Sequence, residues 1–155
     1  MRTIEGQLTL RDARLCILAA RFNDRIVEDL IRGALDALKR HGIADSAVDL
    51  VRVPGAFELP LVARKLARTR QYDGLIALGV VIRGGTPHFE YVCRECAAGR
   101  NRVSQEFEVP IGFGVLTCDT VDQAVERSGV KHGNKGADAA LATMEMVSLL
   151  RQIAS

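Results

Sequence analysis

One stretch of the chain gathers residue types suited to holding an anion and moving a proton: Arg83-Gly84-Gly85-Thr86-Pro87-His88. Adjacent glycines let a ligand approach the backbone closely. Proline suits the first turn of a helix. The free N–H groups and dipole of a helix start favour negative charge. Thr86 is expected to cap that helix and to offer its hydroxyl. His88 falls in the first helical turn, beside the proposed anion, where an imidazole would serve as a proton shuttle. The same residues also compose an ordinary glycine turn, a threonine cap and an incidental histidine. Residue types alone leave both readings open.

Two other segments add to the first. Phe22-Asn23 sets an aromatic face beside an amide, or simply makes a hydrophobic staple and an N-cap. Ala56-Phe57-Glu58 supplies a carboxylate that either accepts hydrogen bonds from ligand hydroxyls or complements a helix dipole. Taken together, these groups point to a cofactor-free reaction on a small phosphorylated molecule. The sequence holds no G-x-x-x-x-G-K-[S/T], no G-x-G-x-x-G, no H-E-x-x-H and no G-x-S-x-G. Nucleotide hydrolysis, nicotinamide chemistry, zinc hydrolysis and serine hydrolysis therefore lose weight. Cys93 and Cys96 form a C-x-x-C, with Cys16 and Cys118 apart from it. The pair falls inside an expected helix, not at its start where a thiol pKa would drop. No second Cys/His pair completes a zinc site. The four are expected to be reduced packing residues.

Hydrophobic periodicity supplies the elements that must carry these loops. Residues 13–20 form a short apolar run, expected as a buried strand. Ile26, Leu30, Ala34 and Leu38 share one stripe of a helix from Asp24 to His41, closed by Gly42. Residues 48–53 read as a second strand. The helix after it turns Leu59, Val62, Ala63 and Leu66 inward, with Pro60 near its first turn. Residues 74–82 are apolar without alternation, as in a central parallel strand buried on both faces. A helix over 87–106 and a strand over 110–118 follow. Thr120-Val121-Asp122-Gln123 fits a capping box, and a last helix covers 135–153. This alternation predicts an α/β fold with a parallel sheet between helices. Residues 3–9 read as a further extended segment without a partner inside the domain.

Ligands of open parallel sheets bind beyond the carboxyl ends of the strands. That rule selects Arg21–Asp24, Pro54–Glu58, Arg83–His88 and Asp119-Thr120. The 155 residues suit a single domain spanning 1–155. The formal charge of +2 is scattered over both signs, so no basic stripe points to nucleic acid. No apolar run is long enough for a membrane span. Residues 1–6 lack the apolar core of a secretory signal, and a cytoplasmic location is the expectation.

At these same loops the sequence resembles the lumazine synthase family of riboflavin biosynthesis. The resemblance rests on Arg21-Phe22-Asn23, on residues 53–60 (VPGAFELP) and on residues 77–88 (ALGVVIRGGTPH). Residues 113–117 (FGVLT) and 133–136 (GNKG) continue it in order. The resemblance implies a three-layer α/β/α, flavodoxin-like fold with a four-stranded parallel sheet. The extended N-terminal segment would then pair with a neighbouring subunit. It also implies a transferase that condenses 5-amino-6-(D-ribitylamino)uracil with 3,4-dihydroxy-2-butanone 4-phosphate, without metal or organic cofactor.

Carried over by position, Phe22 would stack on the pyrimidine with Asn23 supporting it. Ala56, Phe57 and Glu58 would bind the ribityl chain. The backbone of Val80, Val81 and Ile82 would read the ring's polar edge. Gly85 and Thr86 would hold the phosphate, and His88 would move protons. Phe113, Arg127 and Lys135 also match, Arg127 toward the phosphate. Phe113 lies about 17 Å before the end of its strand at ~3.3 Å per residue, far from His88 in one chain. The family resolves this with sites shared between subunits, in pentamers and, for some members, capsids of twelve pentamers. Residues 129–134 look like the short connection of capsid-forming members. Asp122, Ser128 and Cys118 depart mildly from the family pattern, at no proposed contact. The alternatives are a shell protein without turnover and the pentameric riboflavin synthases. The full set of contacts argues against the first, and the anion loop with Arg127 against the second.

Overall fold

The computed structural model describes residues 1–154. Its longest strand, β3, spans Gly74–Ile82 and lies between β1 (Leu15–Ala20) and β4 (Ile111–Cys118). With β2 (Val48–Val53) outside β1, the sheet order is β2-β1-β3-β4 and every pair is parallel. A strand bonded on both edges and covered on both faces needs apolar residues in both phases. β3 and β1 meet that condition, with Leu15, Ile17, Leu18, Leu75, Ile76 and Leu78 wholly buried. Each such side chain contributes about 1.5–3 kcal/mol of burial.

Helices cover both faces. α1 (Asp24–Arg40) and α5 (Lys135–Ala154) close one face through Leu30, Leu38, Ala140 and Met144. α2 (Leu59–Thr69) and α3 (His88–Phe107) close the other through Leu59, Ala63, Cys96 and Val103. The fold is the expected three-layer α/β/α arrangement, and element ends move by only a residue or two. Pro60 stands in the first turn of α2. Short α4 (Val121–Glu126) opens with the forward half of the capping box, while the returning Gln123 amide reaches one residue further back than the box requires. Thr120 Oγ1 accepts from the Gln123 N–H at 3.1 Å, and Gln123 Oε1 accepts from the Asp119 N–H at 2.8 Å.

Three features go beyond what the sequence alone indicates. Single 3-10 turns form at Asp45–Ala47 and Ala56–Glu58. The buried stripe of α5 runs through Gly136, Ala139, Ala140, Thr143, Met144, Val147 and Ser148, leaving Met146 exposed. Residues 3–9 form no strand and do have a partner inside the domain, since they lie along α5. The Gln7 N–H donates to Ser148 Oγ at 3.0 Å, and Gln152 Nε2 donates to the Glu5 carbonyl at 2.8 Å. A Cβ at Gly6 would stand 2.1 Å from the Glu145 carbonyl oxygen, so only glycine permits this contact. No helix of the described chain is long and apolar enough to cross a membrane.

Candidate active site

The sheet order reverses between β1 and β3, and there the strand ends part. Beyond Ala20 the chain stays with β2: the Arg21 N–H donates to the Val53 carbonyl at 2.8 Å, and the Phe22 N–H to the Pro54 carbonyl at 3.0 Å. β3 stays instead with β4. Its pairing with β1 stops at Ala19↔Leu78, while its pairing with β4 runs on to Ile82↔Cys118. A crevice opens at this switch point, where doubly wound sheets bind ligands.

That crevice is a cleft of about 480 Å³. It is lined by Phe22 and Asn23 after β1, by residues 54–58 after β2, and by Val80, Val81, Ile82, Gly84, Thr86 and His88. Phe89 and Val92 of α3 complete it. Three separate loops thus bring together the aromatic face, the carboxylate and the histidine singled out in the sequence. Phe22 is 73% exposed and Phe57 56% exposed, although each is a large aromatic. Apolar rings held in water at a cleft mouth are contact surfaces in waiting.

Asn23 occupies the N-cap position of α1 but does not cap it with its side chain. Its backbone is left-handed (φ 61°), and its Nδ2 donates across the crevice to the Val80 carbonyl at 2.9 Å. The amide therefore pins β1's tail to β3's open edge, and so fixes where Phe22 stands.

Thr86 likewise departs from its expected role. α3 begins at His88, Pro87 holds the cap position, and no side chain caps the helix. The loop consequently keeps its donors. The backbone N–H groups of Gly84, Gly85, Thr86, His88 and Phe89 donate to no other group of the described chain, whereas Glu90 donates to the Pro87 carbonyl. Consecutive unpaired N–H groups at a helix start form an anion-binding concavity. The glycines agree with this. Neither Gly84 nor Gly85 has a positive φ, and a Cβ on either would meet nothing within 4 Å. Nothing inside the described chain requires glycine at these positions, and without side chains they leave the backbone N–H groups open to a ligand.

Sequence reasoning missed the residue that holds this loop. Arg83 Nε donates to Asp119 Oδ1 at 2.8 Å, Nη1 lies 3.5 Å from Glu90 Oε1, and the guanidinium stacks 4.5 Å over the Phe89 ring. The Arg83 N–H also donates to the Cys118 carbonyl at 2.8 Å. The bond to Asp119, and secondarily Glu90, raises the guanidinium above its ordinary pKa. The arginine of the anion loop is thus a clamp between strand ends and is not itself free for an anion. The available signal was that Arg83 and Asp119 each follow the last residue of neighbouring strands.

The remaining residues are elsewhere. Phe113, Arg127 and Lys135 line a second, smaller cleft of about 270 Å³ along the open edge of β4, together with Thr117 and Gln123. None of the three lines the first cleft. Phe113 pairs in register with Ala77, five residues short of Ile82↔Cys118, as the sequence spacing requires. Arg127 Nη1 donates to the Gln123 carbonyl at 2.9 Å, and Lys135 Nζ lies 3.3 Å from Asp138 Oδ2.

Residues 12–151 match the family described as 6,7-dimethyl-8-ribityllumazine synthase. The chain belongs to that family. It is a transferase of riboflavin biosynthesis, a lumazine synthase in class. The C-x-x-C has no place in the cleft: Cys93 and Cys96 lie within α3 as free thiols, and burial pushes the Cys96 thiol up to about 11. Among the described residues, no three His, Cys, Asp or Glu side chains gather as a metal site would require.

Proposed function

We propose that this lumazine synthase condenses 5-amino-6-(D-ribitylamino)uracil with 3,4-dihydroxy-2-butanone 4-phosphate, giving 6,7-dimethyl-8-ribityllumazine, phosphate and water. The observation that carries the reading is the set of unpaired N–H groups at 84–89, beside two glycines for which the chain itself has no use. Such a cradle suits a phosphate, and Gly85 and Thr86 are its proposed contacts. Phe22 stacks on the pyrimidine, with Asn23 holding it. Ala56, Phe57 and Glu58 take the ribityl chain. The open edge of β3 at Val80, Val81 and Ile82 offers backbone groups to the ring.

With both substrates seated, the 5-amino nitrogen attacks the ketone and water leaves to form the imine. His88 removes the carbon-bound proton beside the imine, phosphate departs into the cradle, and the enol left behind takes up a proton at its terminal carbon to become a methyl ketone. The second amine then closes the ring with loss of water. Holding two molecules in register supplies much of the rate. Phosphate as leaving group favours this reaction over dismutation of two lumazines.

The second cleft belongs to the same proposal. Phe113, Arg127 and Lys135 face the first cleft of a neighbouring subunit, Arg127 toward its phosphate, in a cytoplasmic homo-oligomer built of pentamers. The exposed side of residues 3–9 joins that assembly. The connection at 129–134 is short and tied down: the Lys131 and His132 N–H groups both donate to the Glu126 carbonyl, and Ser128 bridges Asn134. A compact connection of this kind favours closure into a 60-subunit capsid, which light scattering distinguishes from a pentamer. The activity is tested by mixing both substrates with the purified protein and following lumazine absorbance and phosphate release. A rate no higher than the spontaneous reaction refutes the proposal.

A further inference from the structure

Arg100 has no task in the reading so far, and its surroundings are unusual for an arginine. It is half-buried on α3, and none of the ion pairs of the described chain includes it. Its Nε donates to the Ile111 carbonyl at 2.8 Å, and Nη2 donates to the same oxygen. Burial holds its pKa below the ordinary value. Withdrawing a guanidinium from water without a carboxylate is costly.

The strand it touches supplies the reason. The Pro110 and Cys118 carbonyls accept from the Leu75 and Arg83 N–H groups, so the even-numbered residues at both ends of β4 face β3. Alternate residues of a strand turn their backbone groups the other way, here to the outer edge of β4, which no strand covers. Ile111 and Phe113 belong to that outer set. Arg100 fastens the first carbonyl of the edge. Two residues on, the Phe113 ring lies 5.9 Å from the same guanidinium. That is within the reach of cation–π attraction. Phe113 is otherwise 40% exposed on an uncovered strand.

We infer that Arg100 is a positioning residue for Phe113, fixing the ring and the strand edge beneath it so that Phe113 meets the pyrimidine of the adjoining site in one orientation. The inference rests on the shared-site reading above. Its effect falls on the aminouracil and not on the phosphate substrate, because Arg100 bonds the strand edge and stacks on Phe113, whereas Arg127 is held separately by the Gln123 carbonyl.

The test uses the assembled enzyme. Arg100→Met keeps a long apolar stem and removes the charge and every donor. It raises KM for the aminouracil about five-fold, the size of one such contact, with kcat and KM for the butanone phosphate within about two-fold. Arg100→Lys restores part of the loss, and carries the test alone if the Met variant fails to assemble. Arg100→Met adds nothing to Phe113→Leu. An unchanged aminouracil KM in Arg100→Met, beside a raised one in Phe113→Leu, overturns this inference alone. Equal rises in both KM values, or a loss fully additive with that of Phe113→Leu, overturn it as well, because a general framework role would produce them. An unchanged aminouracil KM in Phe113→Leu overturns the shared-site reading and the inference together.

Discussion

Asn23 joins two independent physical demands in one residue, and three substitutions separate them. Its left-handed backbone costs most side chains about 1–2 kcal/mol, a cost asparagine and glycine largely escape. Its amide also satisfies the Val80 carbonyl at 2.9 Å, at a residue only 3% exposed. Leaving such an acceptor unpaired costs roughly 1–3 kcal/mol, nearer the lower bound where water enters from the cleft. Asn23→Gly removes the bond but tolerates the backbone, so about 1 kcal/mol is expected. Asn23→Ala removes the bond and strains the backbone, for about 2–3 kcal/mol in all. Asn23→Asp tolerates the backbone but sets a carboxylate against a carbonyl, and falls below Gly. The assay is urea unfolding at fixed protomer concentration, because assembly contributes to apparent stability. KM for the aminouracil is measured on the same preparations and rises in all three, since Phe22 loses its anchor. Gly and Ala variants both within about 0.5 kcal/mol of the parent would refute the reasoning, because neither the bond nor the backbone would then matter.

Other consequences are as specific. Gly85→Ala leaves the unfolding midpoint within about 0.5 kcal/mol of the parent, because its Cβ enters open space at an ordinary φ. The same change raises KM for the butanone phosphate by crowding the cradle, and an unchanged KM counts against the anion loop. His88→Ala lowers kcat about tenfold or more and leaves assembly intact, as loss of an acid–base group should; a normal rate removes its assigned role. At the amino ends of the strands, Asp49 accepts from the Tyr72 hydroxyl at 2.6 Å and from Arg14 at 2.8 Å, and these hold its pKa below the usual carboxylate value. The stabilisation is therefore full above the unfolded carboxylate pKa and is lost as pH falls through the folded one. Asp49→Asn is less stable than the parent at neutral pH, and the difference closes toward acid; a constant difference across the titration refutes the assignment.

What the sequence made legible follows from how much of each feature is local. β3 announces itself because a strand buried on both faces cannot alternate. The Thr120 box is legible because all its atoms lie within five residues. α5 is harder to read. Its true inward face includes Gly136, Thr143 and Ser148, and apolar counting does not select them. Thr143 is buried without penalty because its hydroxyl donates to the Ala139 carbonyl at 2.8 Å in its own helix. A Cβ at Gly112 would stand 2.4 Å from that hydroxyl, so small residues permit close packing here.

In the site, the loop residues could be proposed from strand ends alone, because a parallel sheet gathers them on one edge. Asn23 looked like a cap and Thr86 like another. Neither caps, because Asn23's amide has a better partner 57 residues away and the Thr86 loop leaves its donors unpaired. Arg83, Asp119 and Arg100 act through contacts between elements. They become legible only once strand order and register are known.

The central claim is that one site is built from the first cleft of one chain and the second cleft of the next. Unfolding and reassembling an equal mixture of His88→Ala and Arg127→Ala subunits tests it most directly. Each variant reassembled alone is nearly inactive at low butanone phosphate. In a ring of head-to-tail contacts, about one quarter of all sites would pair an intact His88 with an intact Arg127. The account predicts recovery of about that fraction of parental activity. Activity no higher than the average of the two variants would contradict it, because both residues would then belong to a site within a single chain.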